Sequence, residues 1–309
     1  MSANIPLVKM PSGHSIPVIG LGTFKTTDRE VVKTSISAAL DAGYRHIDTA
    51  HIYQNEADIG EALKVKFAEG GIKREDVFIT TKVVMLWGTE HHPMDVRPAC
   101  GESLRKLQLS YVDLYYVHWP VHLLRQGESR GPFTLEDTWR EMEKLVDAGL
   151  VRSIGISNFN KAQIDRIMAI ARIKPAMLQI ESSVVFLNEK LIKYAQLIGL
   201  PVTAYAPFGS PGTSPDYANP LELPCVLDIA KAHGKSPAQV LVRHALQRQL
   251  VVIPKSTSPK RILENIKVFD FELSPVEMEA LNNAEPNQCR RFGLRAWSKL
   301  PEYPFDDEL

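Results

Sequence analysis

The chain has 309 residues, 44% of them apolar and 23% charged, which is enough apolar material for a large buried core and too much for a disordered chain. Lys plus Arg and Asp plus Glu balance at 36 each, so no global field draws the protein to nucleic acid or to an anionic membrane. Three widely spaced cysteines, Cys100, Cys225 and Cys289, argue against a disulfide framework or a structural zinc site and fit a reducing compartment.

The first residues, "MSANIPLVKMPSGHSIP", carry prolines where a signal peptide needs an apolar stretch, and no apolar run is long enough to span a bilayer. The expected location is the cytoplasm. The final "DDEL" resembles an endoplasmic-reticulum retention signal, which has no use without prior entry into that compartment. "PLVKMPSGHSIPVIG" reads as a β-hairpin turning at Ser12-Gly13, placed as a plug in the floor of whatever follows.

From there β-rich runs recur, most of them followed by an amphipathic helical pattern. "VIGLGTF" precedes "DREVVKTSISAALDAG", "YRHIDTA" precedes "NEADIGEALKVKFAEGG", and "DVFITTKVV" precedes "DVRPACGESLRKLQL". The series continues through "VDLYYVHW", "VRSIGISNF", "PAMLQIESSVVF", "PVTAYAPFG" and "VVIPKST", for eight strands in all. Several are nearly continuous apolar runs, as parallel strands covered by helices require. In the second helix Asn55 is the expected N-cap, Glu56 and Asp58 favour the positive end of the dipole, and Gly70-Gly71 stop the helix, with Ile59, Leu63 and Phe67 facing inward. Eight βα units point to the α/β class and a (β/α)8 TIM barrel, a single domain over residues 1–309 with the N-terminal hairpin plug and a C-terminal tail over the active-site face. A doubly wound dinucleotide fold is disfavoured because "GLGTFK" lacks the third glycine of GxGxxG.

In such a barrel chemistry sits at the C-terminal ends of the strands. Those ends deliver Asp48 after "YRHI", Tyr53 in the loop beyond it, Lys82 at the end of "FITT" and His118 at the end of "VDLYYV". Singly each has a structural reading: a capping Asp, a solvated Lys, a core His. Together, on neighbouring strands, they suit proton transfer to a carbonyl oxygen. A phenol with a pKa near 10 is a weak acid at neutral pH, and a nearby ammonium favours its phenolate, so Lys82 is expected to lower the pKa of Tyr53. Asp48 would hold Lys82 charged and in place, and a neutral His118 would donate an N–H to the substrate oxygen. His51 remains uncommitted, a rim or helix-entry residue.

Such a reaction needs a hydride donor. "VVIPKSTSPKRILEN" puts Lys255, Ser256 and Thr257 at the end of the eighth strand and Arg261 and Asn265 on the helix after it, a set suited to a phosphomonoester such as the 2′-phosphate of NADPH. Ser157 and Asn158 in "GISNF" and Gln179 in "MLQIE" are amide-compatible, and Tyr205 offers a flat face for a nicotinamide ring.

"GYRHIDTAHIYQNEADIGEAL", "YYVHWP", "GISNF", "AYAPFGS", "VVIPKSTSPKRILEN" and "YPFDDEL" closely resemble, in order and along essentially the whole chain, the aldo-keto reductase superfamily. The resemblance implies an NADPH-dependent enzyme of the aldehyde reductase type that reduces aldehydes or ketones to alcohols, with Asp48, Tyr53, Lys82 and His118 as the catalytic set. It places the cofactor on Thr23, Phe24, Asp48, Ser157, Asn158, Gln179, Tyr205, Phe208 and Ser210, and on Lys255, Ser256, Thr257, Arg261, Glu264 and Asn265. Substrate walls fall on Phe24, Ile52, Val84, Trp119, Tyr217, Phe292, Leu294 and Trp297, mostly apolar and aromatic, which suits lipophilic carbonyls better than free sugars. A monomer with a small-molecule carbonyl substrate and no nucleic-acid or membrane partner is implied.

The chain departs from the family pattern at "IESSVVF" after Gln179, in the short link from "HWP" to "LEDTW", in a longer segment around Trp87, and at Gly212, where family members carry a cofactor-clasping acid that Asp216 would have to replace. A catalytically quiet cofactor-binding protein of the same fold is the alternative. A metal-dependent barrel hydrolase is disfavoured, since His46, His51, His91, His92 and His118 do not form a ligand set on the strand ends.

Overall fold

A computed structural model describes residues 5–83, 93–121, 134–211, 218–284, 292 and 295–305. Strands β1 (Leu7–Lys9) and β2 (Ser15–Pro17) pair antiparallel with Val8 opposite Ile16. Gly13 in their turn has φ +86°, the left-handed region that glycine enters without penalty. Eight parallel strands follow in sequential order: β3 (Leu21–Gly22), β4 (His46–Asp48), β5 (Phe78–Val83), β6 (Leu114–Val117), β7 (Ile154–Ser157), β8 (Leu178–Glu181), β9 (Val202–Tyr205) and β10 (Val251–Val252). Parallel bridges from Ile19 to Val252 and from Gly22 to Lys255 join the first strand to the last and close the barrel.

The helices are α1 (Arg29–Asp41), α2 (Glu56–Ala68), α3 (Pro93–Leu107), α4 (Leu135–Asp147), α5 (Lys161–Ile170), α6 (Glu189–Leu197), α7 (Pro224–His233), α8 (Pro237–Gln247), α9 (Pro259–Asn265) and α10 (Pro275–Asn282). Most strands are shorter than the β-rich runs that announce them. "PAMLQIESSVVF" pairs only over Leu178–Glu181, and Ser183 and Phe186 then close a turn. Among the described residues no helix is long and apolar enough to cross a membrane.

The period of two in a strand decides what faces the barrel axis. Outward residues Ile47, Ile79, Val83, Tyr115, Val117, Ile154, Ile156, Leu178, Ile180, Val202 and Ala204 join the large core under the helices. The inward set is layered. At the floor, Phe78, Leu114, Met177 and Val251 pack with Met10 and Ile16 of the hairpin, which makes the expected plug. Above them His46 Nε2 meets Thr80 Oγ1 at 3.2 Å, and Gly155 leaves room for the Tyr116 ring, which a Cβ there would approach to 2.6 Å. The top layer is polar and forms the rim.

His46 and His244 are both 1% exposed, and burial pushes each imidazole down to about 4. A depressed histidine pKa means that the unfolded chain binds the proton first. The contribution is therefore whole above about 6.5 and is lost as pH falls from there toward 4. Each site is worth roughly 3 kcal/mol over that window. Urea midpoints measured at pH 7 and pH 5 are expected to fall steeply, and equal midpoints would contradict the buried neutral state of both rings.

Gly60 on α2 lies against the end of α3, where an added Cβ would stand 2.5 Å from the Lys106 carbonyl oxygen and 2.7 Å from the Leu107 carbonyl carbon. Backbone cannot yield as a side chain does. Gly60→Ala is expected to cost about 2–3 kcal/mol by forcing the helices apart. Gly101→Ala, in α3 with nothing within 4 Å of its Cβ, should instead gain up to about 1 kcal/mol from helix propensity. Denaturant unfolding of the two variants reads the contrast directly.

Candidate active site

Asp48 ends β4 and Lys82 is the fifth residue of β5, both on the inward register, so their side chains meet over the middle layer. Lys82 Nζ lies 2.6 Å from Asp48 Oδ1 and 2.9 Å from the Thr49 carbonyl, with Lys82 0% and Asp48 2% exposed. A buried pair of this kind is costly to break from one side, because the survivor is an uncompensated charge. Gln179 Nε2 donates to the other carboxylate oxygen, Asp48 Oδ2, at 2.8 Å. Burial pulls the Lys82 ammonium below its ordinary value, while Asp48 and then Glu56 oppose that and support the charge.

Tyr53 closes a short 3-10 turn, His51–Tyr53, directly after β4. Lys82 Nζ sits over its ring at 5.2 Å from the centroid, and the His118 ring stands edge-on to it at 5.9 Å and 74°. Asp48, Tyr53, Lys82 and His118 thus lie together at one end of the barrel. The direction of the phenol's shift is the reverse of the expected one. Burial, and then the Asp48 charge, raise Tyr53 well above its usual value. The physical reason is that desolvation of the buried phenolate dominates, the Asp48 carboxylate adds to it, and Lys82 is committed to its pair with Asp48.

The turn carrying Tyr53 is held by Asn55. It occupies the N-cap position of α2 as expected, yet its side chain makes no cap bond. Its amide donates to the Thr23 and Thr26 carbonyls at 2.9 and 3.0 Å and accepts from Thr49 Oγ1 at 2.9 Å. Thr23 Oγ1 in turn donates to the Asp48 carbonyl at 3.0 Å. Asn55 therefore ties the loop after β3 to the loop after β4. The only sequence signal for this clasp was an amide at a position where any of several capping residues would serve. His51, left uncommitted, turns away from the barrel toward Glu56 Oε2 at 3.7 Å and Lys106 Nζ at 3.5 Å.

Across the mouth, Tyr205 OH donates to Asn158 Oδ1 at 2.8 Å, and Asn158 Nδ2 donates to the His118 carbonyl at 2.9 Å and to Ser157 Oγ at 3.1 Å. Asn158 reaches all three with φ +62°, a left-handed conformation that asparagine tolerates better than most residues. Ser157 Oγ donates to the Gln179 carbonyl at 2.9 Å. By the inventory of its amide, Asn158 keeps one acceptor lone pair free of these bonds, whereas the Gln179 amide also hydrogen-bonds the Tyr116 phenol.

Lys255, 3 residues past β10, and Arg261 on α9 lie beside Lys25 from the loop after β3. Lys255 is held below its ordinary value by burial and then by the charges of Lys25 and Arg261. Among the described residues no carboxylate forms an ion pair with Lys25, Lys255 or Arg261, and the three cations lie close enough for Lys25 and Arg261 to depress Lys255. That arrangement fits a phosphorylated ligand. Lys25 went unnoticed in sequence although it stands in the "GLGTFK" stretch that fails as a glycine fingerprint. Ser256 Oγ accepts from the Ser258 amide at 3.2 Å, Thr257 is half-buried, Asn265 is buried, and Glu264 faces Lys260 at 4.0 Å. Phe208 packs against the core and Ser210 has φ +48°.

Of the expected substrate walls, Phe24 is 40% exposed and packs on the Tyr53 ring at 5.0 Å. Phe292 bridges Phe24 and Tyr205 at 6.2 and 5.6 Å, and its amide donates to Glu181 Oε2 at 3.0 Å. Trp119 meets Trp297 edge-on at 5.9 Å, and Ile52 is half-buried in the Tyr53 turn. Val84, Tyr217 and Leu294, with Trp87, Gly212 and Asp216, lie outside the described residues.

A (β/α)8 barrel with a buried Lys-Asp pair against a tyrosine and a histidine, and with Lys25, Lys255 and Arg261 grouped after its first and last strands, is an arrangement that suits a phosphorylated ligand and proton transfer. The family model "Aldo/keto reductase family" matches residues 18–286, and the chain belongs to that family. It is 45% identical over 295 residues to aldo-keto reductase family 1 member A1 of Homo sapiens, covering 91% of this chain and 89% of that one. It is 43% identical to member A1-A of Danio rerio, covering 96% and 98%. Among solved structures, the aldose reductase of Schistosoma japonicum superposes with a TM-score of 0.90 at 50% identity, over 99% of this chain and 100% of that one. A Bombyx mori aldo-keto reductase in complex with NADP gives 0.91 at 36% identity, over 98% and 100%.

Proposed function

We propose that this protein reduces lipophilic aldehydes and aromatic ketones to alcohols with NADPH, Tyr53 giving the proton. Membership of the aldo-keto reductase family carries NADPH-dependent carbonyl reduction in general, and the Bombyx mori relative holds NADP. The observation that carries the finer reading is the buried Lys82–Asp48 pair laid against the face of Tyr53, with His118 at its edge.

Lys25, Lys255 and Arg261 would hold the phosphate that distinguishes NADPH from NADH, and Ser157, Asn158, Gln179 and Tyr205 would receive the nicotinamide end. When bound, the cofactor supplies the hydride. The chain's own residues then have three tasks. His118 orients the carbonyl oxygen toward the Tyr53 hydroxyl. The raised pKa keeps that hydroxyl protonated through neutral pH, so the donor is loaded before any charge develops on the substrate. An alkoxide is a far stronger base than a phenolate, so transfer from even this phenol runs downhill once the oxygen carries charge. Lys82, held by Asp48, stays against the ring face as the proton leaves. Phe24, Trp119, Phe292 and Trp297 supply apolar walls and exclude water.

The reading takes the protein as a single-domain monomer acting on small molecules in the cytoplasm. It is tested by following reduced-nicotinamide absorbance with a panel of carbonyls of graded size and polarity. Turnover of aromatic and long-chain aldehydes well above that of free sugars is the expected result. NADPH binding without turnover of any carbonyl would favour the catalytically quiet alternative, and sedimentation of the purified protein as a dimer would remove the monomer.

A further inference from the structure

The tail over residues 295–305 packs on Trp119 and is held by side chains of α5. At one end Trp297 and Phe305 pack edge-on against Trp119, with centroids 5.9 and 5.6 Å away, and Tyr303 packs on Phe305 at 5.6 Å. Trp119 directly follows His118, and the two rings lie 6.5 Å apart. Between these aromatic contacts stands Glu302, whose φ of +62° is a left-handed conformation with no glycine to make it cheap. A non-glycine residue keeps such a backbone only where its surroundings hold it.

The surroundings are on α5. Gln163 Nε2 donates to the Glu302 carbonyl at 2.9 Å and to its Oε2 at 3.2 Å. Arg166 Nη1 reaches both Glu302 carboxylate oxygens, at 2.9 and 2.8 Å. The other edge of the same guanidinium, Nε and Nη2, grips Glu136 of α4 at 2.8 and 3.0 Å. One planar cation thus forks two carboxylates and fixes its own rotamer by the second of them, which lysine could not reproduce. Gln163 also shares a capping box with Asn160, two residues after the Asn158 that holds the His118 carbonyl. The anchor and the catalytic rim are therefore built on one short stretch of chain.

We propose that Arg166 and Glu302 form a charge latch that sets the position of the C-terminal tail against Trp119 and so determines how well the site holds bulky apolar carbonyl substrates. The proposal rests on the carbonyl-reductase reading above for its substrate half and on geometry alone for its tail half. A small aldehyde does not reach Trp297 and should not sense the latch. A large aromatic one uses the Trp119–Trp297 wall and should. Arg166 keeps 40% of its side chain exposed, so the latch is also open to screening by salt.

The test uses the full chain with Arg166→Met, Glu302→Gln, the double variant and Arg166→Lys, each read by backbone amide exchange and by kinetics with propanal and with a bulky aromatic ketone. Both single variants should speed exchange across 295–305. They should raise KM for the ketone about tenfold, with kcat, the propanal KM and NADPH affinity within about twofold of wild type. The double variant should be no worse than either single, and Arg166→Lys should recover part of the loss. About 1 M salt should reproduce the loss in wild type and leave the double variant unmoved. Unchanged exchange in both singles overturns the latch, as does an equal rise in KM for the small and the large carbonyl. If no carbonyl is turned over at all, the functional reading fails by itself and the exchange data still decide whether Arg166 and Glu302 hold the tail.

Discussion

Tyr53→Phe is expected to lower kcat for carbonyl reduction by about a thousandfold, roughly 4 kcal/mol of transition-state stabilisation, while NADPH affinity stays within about twofold of wild type. The ring packing against Phe24 and His118 survives the change, and only the donated proton is lost. The pH dependence carries a second signature. Because burial and Asp48 raise the phenol, the group is protonated across the neutral range, and reduction should show no loss from Tyr53 ionisation up to at least about pH 10, the ordinary value. Alcohol oxidation needs the phenolate and should climb with pH over the same range. A reduction rate that fell through pH 7 to 9 in wild type but not in Tyr53→Phe would mean that the phenol is depressed, and that Lys82 acts on it as a bare charge. A variant retaining most of its turnover would remove Tyr53 from the proton transfer.

Arg261→Ala is expected to weaken NADPH binding by about ten- to a hundredfold, the worth of a lost charged hydrogen bond, and to leave NADH binding nearly untouched. Relief of like-charge repulsion makes the sign distinctive. Without a ligand, Lys255 is depressed by its cationic neighbours as well as by burial, so removing Arg261 should raise the Lys255 pKa in the free protein even as it costs affinity in the complex. Titration calorimetry with both cofactors reads the first effect and NMR of the lysine side chains the second. Equal losses for NADPH and NADH would move the phosphate site away from α9.

Much of this was legible in the chain. The alternation of apolar runs with helical periods announces a parallel sheet covered by helices, the count of eight βα units points to its closing as a barrel, and the hairpin announces itself through Ser12-Gly13. Strand-end position brought Asp48, Lys82 and His118 to one rim, since a period of two carries every second residue to the axis and a barrel has only one chemically active end. Local rules sufficed wherever a residue's role is set by its neighbours in sequence.

They failed where the role depends on partners far along the chain. Asn55 looks like a cap and is a clasp, because the Thr23, Thr26 and Thr49 groups it binds are brought to it by the closure of β3 onto β4. The direction of the Tyr53 shift could not be read from a list of nearby residue types. A lysine lowers a phenol only if its charge is free, and whether Asp48 has already taken that charge is a matter of 2.6 Å. The grip of Arg166 on Glu302 spans 136 residues and leaves no periodic trace. Sequence by itself determined the fold class and named the candidate residues of the site, because short-range pattern and the family resemblance carry both. Tertiary structure alone decided charge state, burial and tail position, because each is a sum over contacts that the chain makes only once it has closed on itself.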